Sequence, residues 1–211
     1  MAARNITRPA QSALRDIAVA ESRWHGWNGD ALRVANALVN LLLQQHSAQQ
    51  PSVWHPSITH MFPDLPGKYE AANIEASKET LAKLGELVNK MQQQQQQQKA
   101  RTNGDGSVVE SPFFYLTLEQ YAALTHGVWA LYEKATLERQ EYIHDLNSII
   151  KSLEGEPVAL ASNAFDSDAH FVRLLAWESA PGLKDAQLSV PGRTMILSLA
   201  DFDELVQKEF A

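Results

Sequence analysis

Three histidines of the sequence, His25, His55 and His60, lie near predicted loops, and Asp64 follows them closely. Imidazole nitrogens and carboxylate oxygens bind zinc, so this set is the first place to look for metal chemistry. Zinc needs ligands that converge in a tetrahedron, and these spacings match no known helical or finger pattern. We therefore predict no metal site and no cofactor, because loop histidines usually form hydrogen bonds instead.

A second set of residues lies on a predicted helix, where four residues separate Arg139 from His144. This spacing resembles that of HEPN-type ribonucleases, helical proteins in which a dimer brings two such pairs together around an RNA phosphate. The resemblance implies that Arg139 stabilises the charged phosphate and that His144 acts as general acid or base on the attacking 2′-hydroxyl. It covers two residues, and Gln140 stands where the family usually has a small polar side chain. The alternative is structural: Arg139 takes a carboxylate partner and sets the helix register, while His144 is exposed.

No motif of high specificity for catalysis or nucleotide binding is present in the sequence. It has no P-loop, no dinucleotide-binding glycine pattern and no Gly-x-Ser-x-Gly elbow. It also has no cysteine, which removes disulfides, thiolate nucleophiles and cysteine-containing zinc sites. The formal net charge is -7, and no segment carries the concentrated positive charge that phosphate binding requires. The sequence therefore disfavours the enzyme classes that these motifs define, and it disfavours a generic nucleic-acid-binding protein.

The longest regular pattern is an almost unbroken heptad seam within the stretch from Thr117 to Leu153, whose members from Leu118 onward alternate steps of three and four residues. Such a seam lies along one stripe of a helix and is typical of coiled-coil packing. Thr117 followed by Gln120 predicts a capping box at the start of this helix. We expect the seam to bind a partner protein or a second copy of the chain. Its predicted contact residues are Tyr121, Val128, Tyr132, Tyr142, Leu146 and Ile149.

A second heptad helix is predicted from Glu70 to about residue 100. Seven glutamines, Gln92–Gln98, continue its register, and glutamine is a good helix former. We expect them to form a solvated helical extension; a polar interaction or aggregation-prone tract is the alternative. A flexible tip near residues 99–111 then joins this helix to the next, and the two form a long antiparallel helical hairpin.

The first 69 residues predict shorter helices followed by a proline-rich strap. Residues 10–23 and 31–46 have helical spacing, and the stretch from Trp24 to Gly29 holds two glycines and an asparagine that supply turn chemistry. Prolines recur in residues 47–68, where each removes a backbone donor and disfavours helix in the residue before it. Leaving large apolar side chains in water is costly, so we expect this strap to be anchored by three of them. They are Trp54, Phe62 and Leu65.

The C-terminal region predicts a small α+β part. Residues 170–177 place apolar side chains on both faces as a buried strand would, with Arg173 as the interruption. The run is short enough to be a helix instead, capped by Ser167 or Asp168.

Two further apolar runs, Val158–Ala161 and Met195–Leu199, have strand character. Ser198 is placed to cap a final amphipathic helix. From residue 156 onward the region is acidic.

These patterns predict a mainly α protein with a small α+β C-terminal part, built as a helical core plus a long antiparallel helical hairpin. The predicted divisions are 1–69, 70–154 and 155–211. The leading hypothesis is a non-enzymatic, cytoplasmic interaction or scaffold protein that binds a protein partner or forms a homo-oligomer. The ribonuclease with Arg139 and His144 is the alternative, and the third reading is a nucleic-acid accessory protein that uses the basic first helix.

Overall fold

The computed structural model describes residues 3–102, 115–155 and 165–210, and helices account for most of them. Three long helices pack together, and a small two-stranded antiparallel sheet lies near the C-terminus. The predicted fold class is therefore confirmed. The elements are α1 (Ala3–Ala48), a 3₁₀ helix (Pro51–Val53), α2 (Pro56–Met61), α3 (Leu65–Thr102), α4 (Leu118–Leu153), α5 (Ser167–Ser179), α6 (Pro181–Lys184), β1 (Gln187–Ser189), β2 (Ile196–Ser198) and α7 (Leu199–Phe210).

Helix α4 begins at the predicted capping box. The backbone N–H of Thr117 donates to the side chain of Gln120 (3.1 Å), and the N–H of Gln120 donates to the Thr117 hydroxyl (3.2 Å). This reciprocal pair satisfies backbone donors that have no partner within the helix. The helix ends at Leu153, and Gly155 in the turn that follows has a positive φ of 80°, which glycine adopts without strain.

The prediction of a turn between two N-terminal helices is wrong, because α1 continues through Trp24–Gly29 without interruption. A glycine inside a helix costs only about 1 kcal/mol relative to alanine, and packing can compensate for that. Trp24 is fully buried beside Thr136, to whose hydroxyl its indole N–H donates (3.2 Å). Asn28, which the sequence places in the predicted turn, instead lies within α1 and accepts two hydrogen bonds from side chains of other helices.

The glutamine tract is helical as predicted, but three of its members are buried rather than solvated. They lie at helical spacing, so one face of α3 continues into the protein interior while the other remains in water. Gln95 contacts α4 directly: its amide donates to the carbonyl of Tyr132 (2.8 Å) and to the hydroxyl of Thr136 (2.6 Å). The buried members are Gln94, Gln95 and Gln98.

Residues 170–177 are helical, so the strand prediction is wrong and the helical alternative is right. The cap is neither Ser167 nor Asp168: the Asp166 carboxylate accepts from the backbone N–H of Asp168 (3.0 Å) and of Ala169 (3.1 Å). A carboxylate at this position also interacts favourably with the helix dipole.

The last two elements follow the sequence pattern closely. Strand β2 lies within the predicted run 195–199 and pairs antiparallel with β1, with Leu188 opposite Leu197. Ser198 caps α7 through reciprocal bonds with Asp201. The predicted strand at 158–161 lies outside the described residues.

The chain divides into two compact units, each assembled from segments distant in sequence. Unit 1 comprises Met1–Trp27, Asn89–Leu137 and Ser179–Ala211. Unit 2 comprises Asn28–Val88 and Glu138–Glu178. The predicted three-part division stays a prediction, and residues 103–111 of the predicted tip lie outside the described residues. Within the described ranges, no helix is both long and apolar enough to cross a membrane.

Candidate functional site

The arginine of the Arg-x4-His pair is buried inside unit 2. Arg139 is only 4% exposed, its Nε donates to the side-chain oxygen of Asn28 (2.6 Å), and its guanidinium lies over the ring of Trp177 at 5.1 Å. Burial lowers its pKa to about 10, partly opposed by the charge of Glu138. His144, one and a half turns away, is exposed. The structure therefore does not bring the two side chains into one accessible site.

An aromatic cluster surrounds the same region of unit 2. The Tyr142 hydroxyl and His170 Nδ1 lie 3.2 Å apart, and the His170 ring stacks on Phe165 with centroids 4.8 Å apart. Burial raises the pKa of Tyr142 to about 12, and burial with the nearby charge of Arg173 lowers the pKa of His170. Both shifts favour the neutral forms of these groups. The contacts between Tyr142 and His170 pack one face of α5 against α4.

The predicted interaction seam is used within the chain itself. Five of its six predicted contact residues are buried. The sixth, Ile149, is only partly buried, whereas the next residue, Ile150, is buried. The seam prediction stays untested as a binding surface, but these side chains already pack against this chain's own helices. The buried members are Tyr121, Val128, Tyr132, Tyr142 and Leu146.

Unit 1 holds a cluster of titratable side chains that sequence reasoning missed. Glu21, which is 7% exposed, hydrogen-bonds through its carboxyl group to Asp203 on α7. One turn along α1, His25 Nε2 lies 2.9 Å from the hydroxyl of Tyr132. Burial, and then the charge of Asp203, raise the pKa of Glu21 to about 8. Burial and the two carboxyl groups raise the pKa of Tyr132 as well.

The histidines considered as metal ligands belong to different units. His25 belongs to unit 1, whereas His55 and His60 belong to unit 2. His55 caps α2, where its Nδ1 accepts from the backbone N–H of Ser57 (3.2 Å). Among the described residues, no group of three or more histidines and carboxylates is arranged to hold a metal ion.

The outer face of α5 is the clearest candidate for a binding surface. Its inner face buries His170, Leu174 and Trp177. On the other side, large apolar side chains recur at helical spacing and remain in water, so α5 is apolar on two faces but covered on one. We call this set the α5 face; it consists of Phe171 (61% exposed), Val172 (62%) and Leu175 (48%).

The strap also differs from the expectation that apolar anchors would bury it. Trp54 does anchor the chain, because its indole N–H donates to the Ala48 carbonyl (2.8 Å) and its ring packs edge-on against Tyr69 (5.7 Å). Phe62 and Leu65 are instead exposed, as is Met61. Unit 2 thus presents apolar side chains at the strap as well as on α5.

The apolar run that contains Phe171 and Leu175 predicts a buried strand, with a helix as the alternative. The signal that identifies the α5 face was present: residues 170, 174 and 177 have the spacing of one helix face, and 171, 172 and 175 have that of another. No protein-family model matches this sequence, and comparison with curated proteins finds no significant match.

Proposed function

We propose that this protein is a non-enzymatic interaction protein and that the α5 face binds a segment of a partner protein. The observation that carries the proposal is the exposure of Phe171, Val172 and Leu175 side by side on a helix whose opposite face is already packed. Isolated apolar residues on a surface need no explanation, but a contiguous apolar stripe favours an interaction site.

Covering the α5 face removes apolar surface from water, which favours binding. Fully burying a side chain of this size contributes on the order of 1.5–3 kcal/mol relative to exposure, and each member of the α5 face still has about half or more of its surface in water. A partner that covers all three gains roughly half of that free energy for each side chain. The helix itself is held by Asp166 at its cap and by its buried face, so little ordering entropy opposes binding.

Charge favours a different protein over a second copy of this chain. Unit 2 carries fourteen Asp and Glu against seven Lys and Arg, which gives -7. Unit 1 carries eleven of each and is formally neutral. The whole net charge of the protein therefore belongs to the unit that presents the α5 face. Two copies joined through this face would bring two such units together and repel each other.

The other functions remain predictions with less support. The burial of Arg139 and the exposure of His144 do not favour a ribonuclease site within one chain. The neutral unit 1 and acidic unit 2 do not favour binding to a nucleic acid. A cytoplasmic location also stays a prediction.

A photocrosslinking amino acid at Val172 tests the proposal in the native cell, with Glu141, an exposed residue of unit 2, as the control position. We expect one heavier species from position 172 and none from 141. The crosslinked protein is then identified, purified and titrated against the wild type and a Phe171→Asp, Leu175→Asp variant. The proposal requires at least a tenfold loss of affinity in the variant, with an unchanged circular dichroism spectrum.

The proposal is overturned if position 172 gives no more product than 141, or if the purified partner binds the variant as well as the wild type. A product that contains only two copies of this chain identifies a homodimer instead.

A further inference from the structure

The α5 face has acidic residues at both of its ends. Asp168 precedes Phe171 by three positions, and Glu178 follows Leu175 by three, so both lie on the same stripe of the helix. Both are exposed. A partner that covers the apolar centre therefore meets a carboxylate at each end.

The positive charge of Arg173 on α5 does not offset the negative charges of Asp168 and Glu178. Arg173 is the only Lys or Arg in α5, and it forms an ion pair with Asp145 on α4. Its guanidinium also lies over the ring of Tyr142 at 5.4 Å, which directs it toward the covered side of the helix. The surface that a partner meets is therefore apolar in the centre and negative at the ends.

We propose that the segment bound by the α5 face is an amphipathic helix whose apolar stripe is bordered by lysines or arginines. This inference rests on the proposed function. The stripe from Asp168 to Glu178 runs over eleven residues, and its ten steps of helical rise span about 15 Å. Three turns of a partner helix cover that length, with apolar residues at intervals of three and four and a basic residue near each end.

The same geometry argues against other occupants. A second α5 helix packed antiparallel would place Glu178 of one copy beside Asp168 of the other, and like charges across an interface disfavour association. An anionic lipid surface would be repelled for the same reason. A basic amphipathic helix satisfies both the apolar centre and the acidic ends.

Two synthetic peptides test this with the purified full-length protein. Both carry the same leucine stripe over three helical turns, and they differ only in lysines or glutamates at the two ends. Binding is measured by fluorescence anisotropy at about 0.15 M salt, where charges a few ångströms apart are incompletely screened. We expect the lysine peptide to bind at least tenfold tighter than the glutamate peptide. Phe171→Ser with Leu175→Ser should weaken its binding at least tenfold.

A charge reversal, Asp168→Lys with Glu178→Lys, should invert the preference between the two peptides. The matched control is Glu75→Lys with Glu86→Lys, which changes the net charge equally through two exposed residues of α3 and should leave the preference unchanged. Unfolding midpoints of all variants confirm that they remain folded.

The proposal of a basic partner helix is overturned if both peptides bind equally, or if the charge-reversal variant keeps the wild-type preference. Either result leaves the α5 face as an interaction surface. Failure of both peptides to bind also overturns that proposal. The crosslinking at Val172 decides the interaction function independently, so the two proposals fail in distinguishable ways.

Discussion

The carboxyl group of Glu21 on α1 hydrogen-bonds to the carboxyl group of Asp203 on α7. Two ionised carboxylates repel each other, so a hydrogen bond between them requires a shared proton. Glu21 is almost completely buried, whereas Asp203 lies at the exposed edge of the pair. The buried partner therefore holds the proton more strongly, and burial also raises the pKa of Asp203. The contact between α1 and α7 in unit 1 depends on protonation.

We predict that the free energy of unfolding falls as the pH rises from about 5 to about 8. The folded-state pKa of Glu21, about 8, is above its ordinary value of 4.5. A group with a raised folded-state pKa contributes its stability fully below the unfolded-state pKa and loses it as the pH approaches the folded-state pKa. Urea unfolding at a series of pH values measures this loss. His25 and Tyr132 also face this pair of carboxyl groups, and they are the same in the wild type and in a Glu21 variant.

Glu21→Gln isolates the contribution of the pair, because glutamine keeps the shape and a donor but cannot ionise. Its unfolding free energy should depend less on pH than that of the wild type, and the variant should be the more stable of the two near pH 8. Glu141→Gln changes an exposed carboxylate of α4 and serves as the control. Parallel pH profiles for the wild type and Glu21→Gln would show that no proton is shared.

The Arg139 side chain should matter for stability rather than for reaction with RNA. Arg139→Ala removes the hydrogen bond to Asn28 and the packing on Trp177, and it leaves a cavity. We expect a loss of about 2–4 kcal/mol in the free energy of unfolding. His144→Ala, at an exposed position, should change it by less than about 0.5 kcal/mol. Denaturant unfolding of both variants tests this; equal effects contradict the assignment.

A nuclease assay on the same two variants addresses the ribonuclease alternative. We expect the wild type, Arg139→Ala and His144→Ala to leave single-stranded RNA equally intact. Cleavage by the wild type that both variants lose, while His144→Ala remains as stable as the wild type, would establish the alternative.

Two helix glycines should respond differently to the same substitution. A Cβ at Gly127 of α4 would lie 3.1 Å from Leu188 Cδ2 on β1, whereas a Cβ at Gly85 of α3 meets nothing within 4 Å. Alanine is favoured over glycine in a helix by about 1 kcal/mol, so Gly85→Ala should stabilise the protein by about that amount. Gly127→Ala should gain less, because Leu188 must shift to make room. Thermal unfolding measures the stability of both variants. An equal gain in stability would contradict the close packing of β1 on α4.

The sequence predicts well those features whose causes are local. The start of α4 follows from Thr117 and Gln120, and the start of α7 follows from Ser198, because capping depends on residues three positions apart. The continuity of α1 was not predictable in this way. Turn-forming residues from Trp24 to Gly29 indicate a break, and only contacts with distant helices show that packing overrides them.

Some features of the candidate site follow from nearby residues in the sequence, and others depend on residues that are far apart in it. The spacing of Phe171, Val172 and Leu175 is readable, but a short apolar run fits a strand or a helix until its capping residue is known. That Glu21 meets Asp203 is a property of tertiary packing alone, since no periodicity relates residues so far apart. The structural alternative for Arg139 predicts a carboxylate partner, whereas its Nε donates to the neutral amide oxygen of Asn28, which no sequence spacing indicates.

The glutamine tract provides a final prediction, because neighbouring glutamines occupy different environments. Gln95 is buried and donates to the Tyr132 carbonyl and the Thr136 hydroxyl, whereas Gln96 is exposed. Gln95→Ala leaves buried acceptors with fewer partners and should cost about 1–3 kcal/mol in the free energy of unfolding. Gln96→Ala changes a solvated side chain and should alter it by less than about 0.5 kcal/mol. Urea unfolding measures both, and equal values for the two variants would mean that the tract is solvated along its whole length.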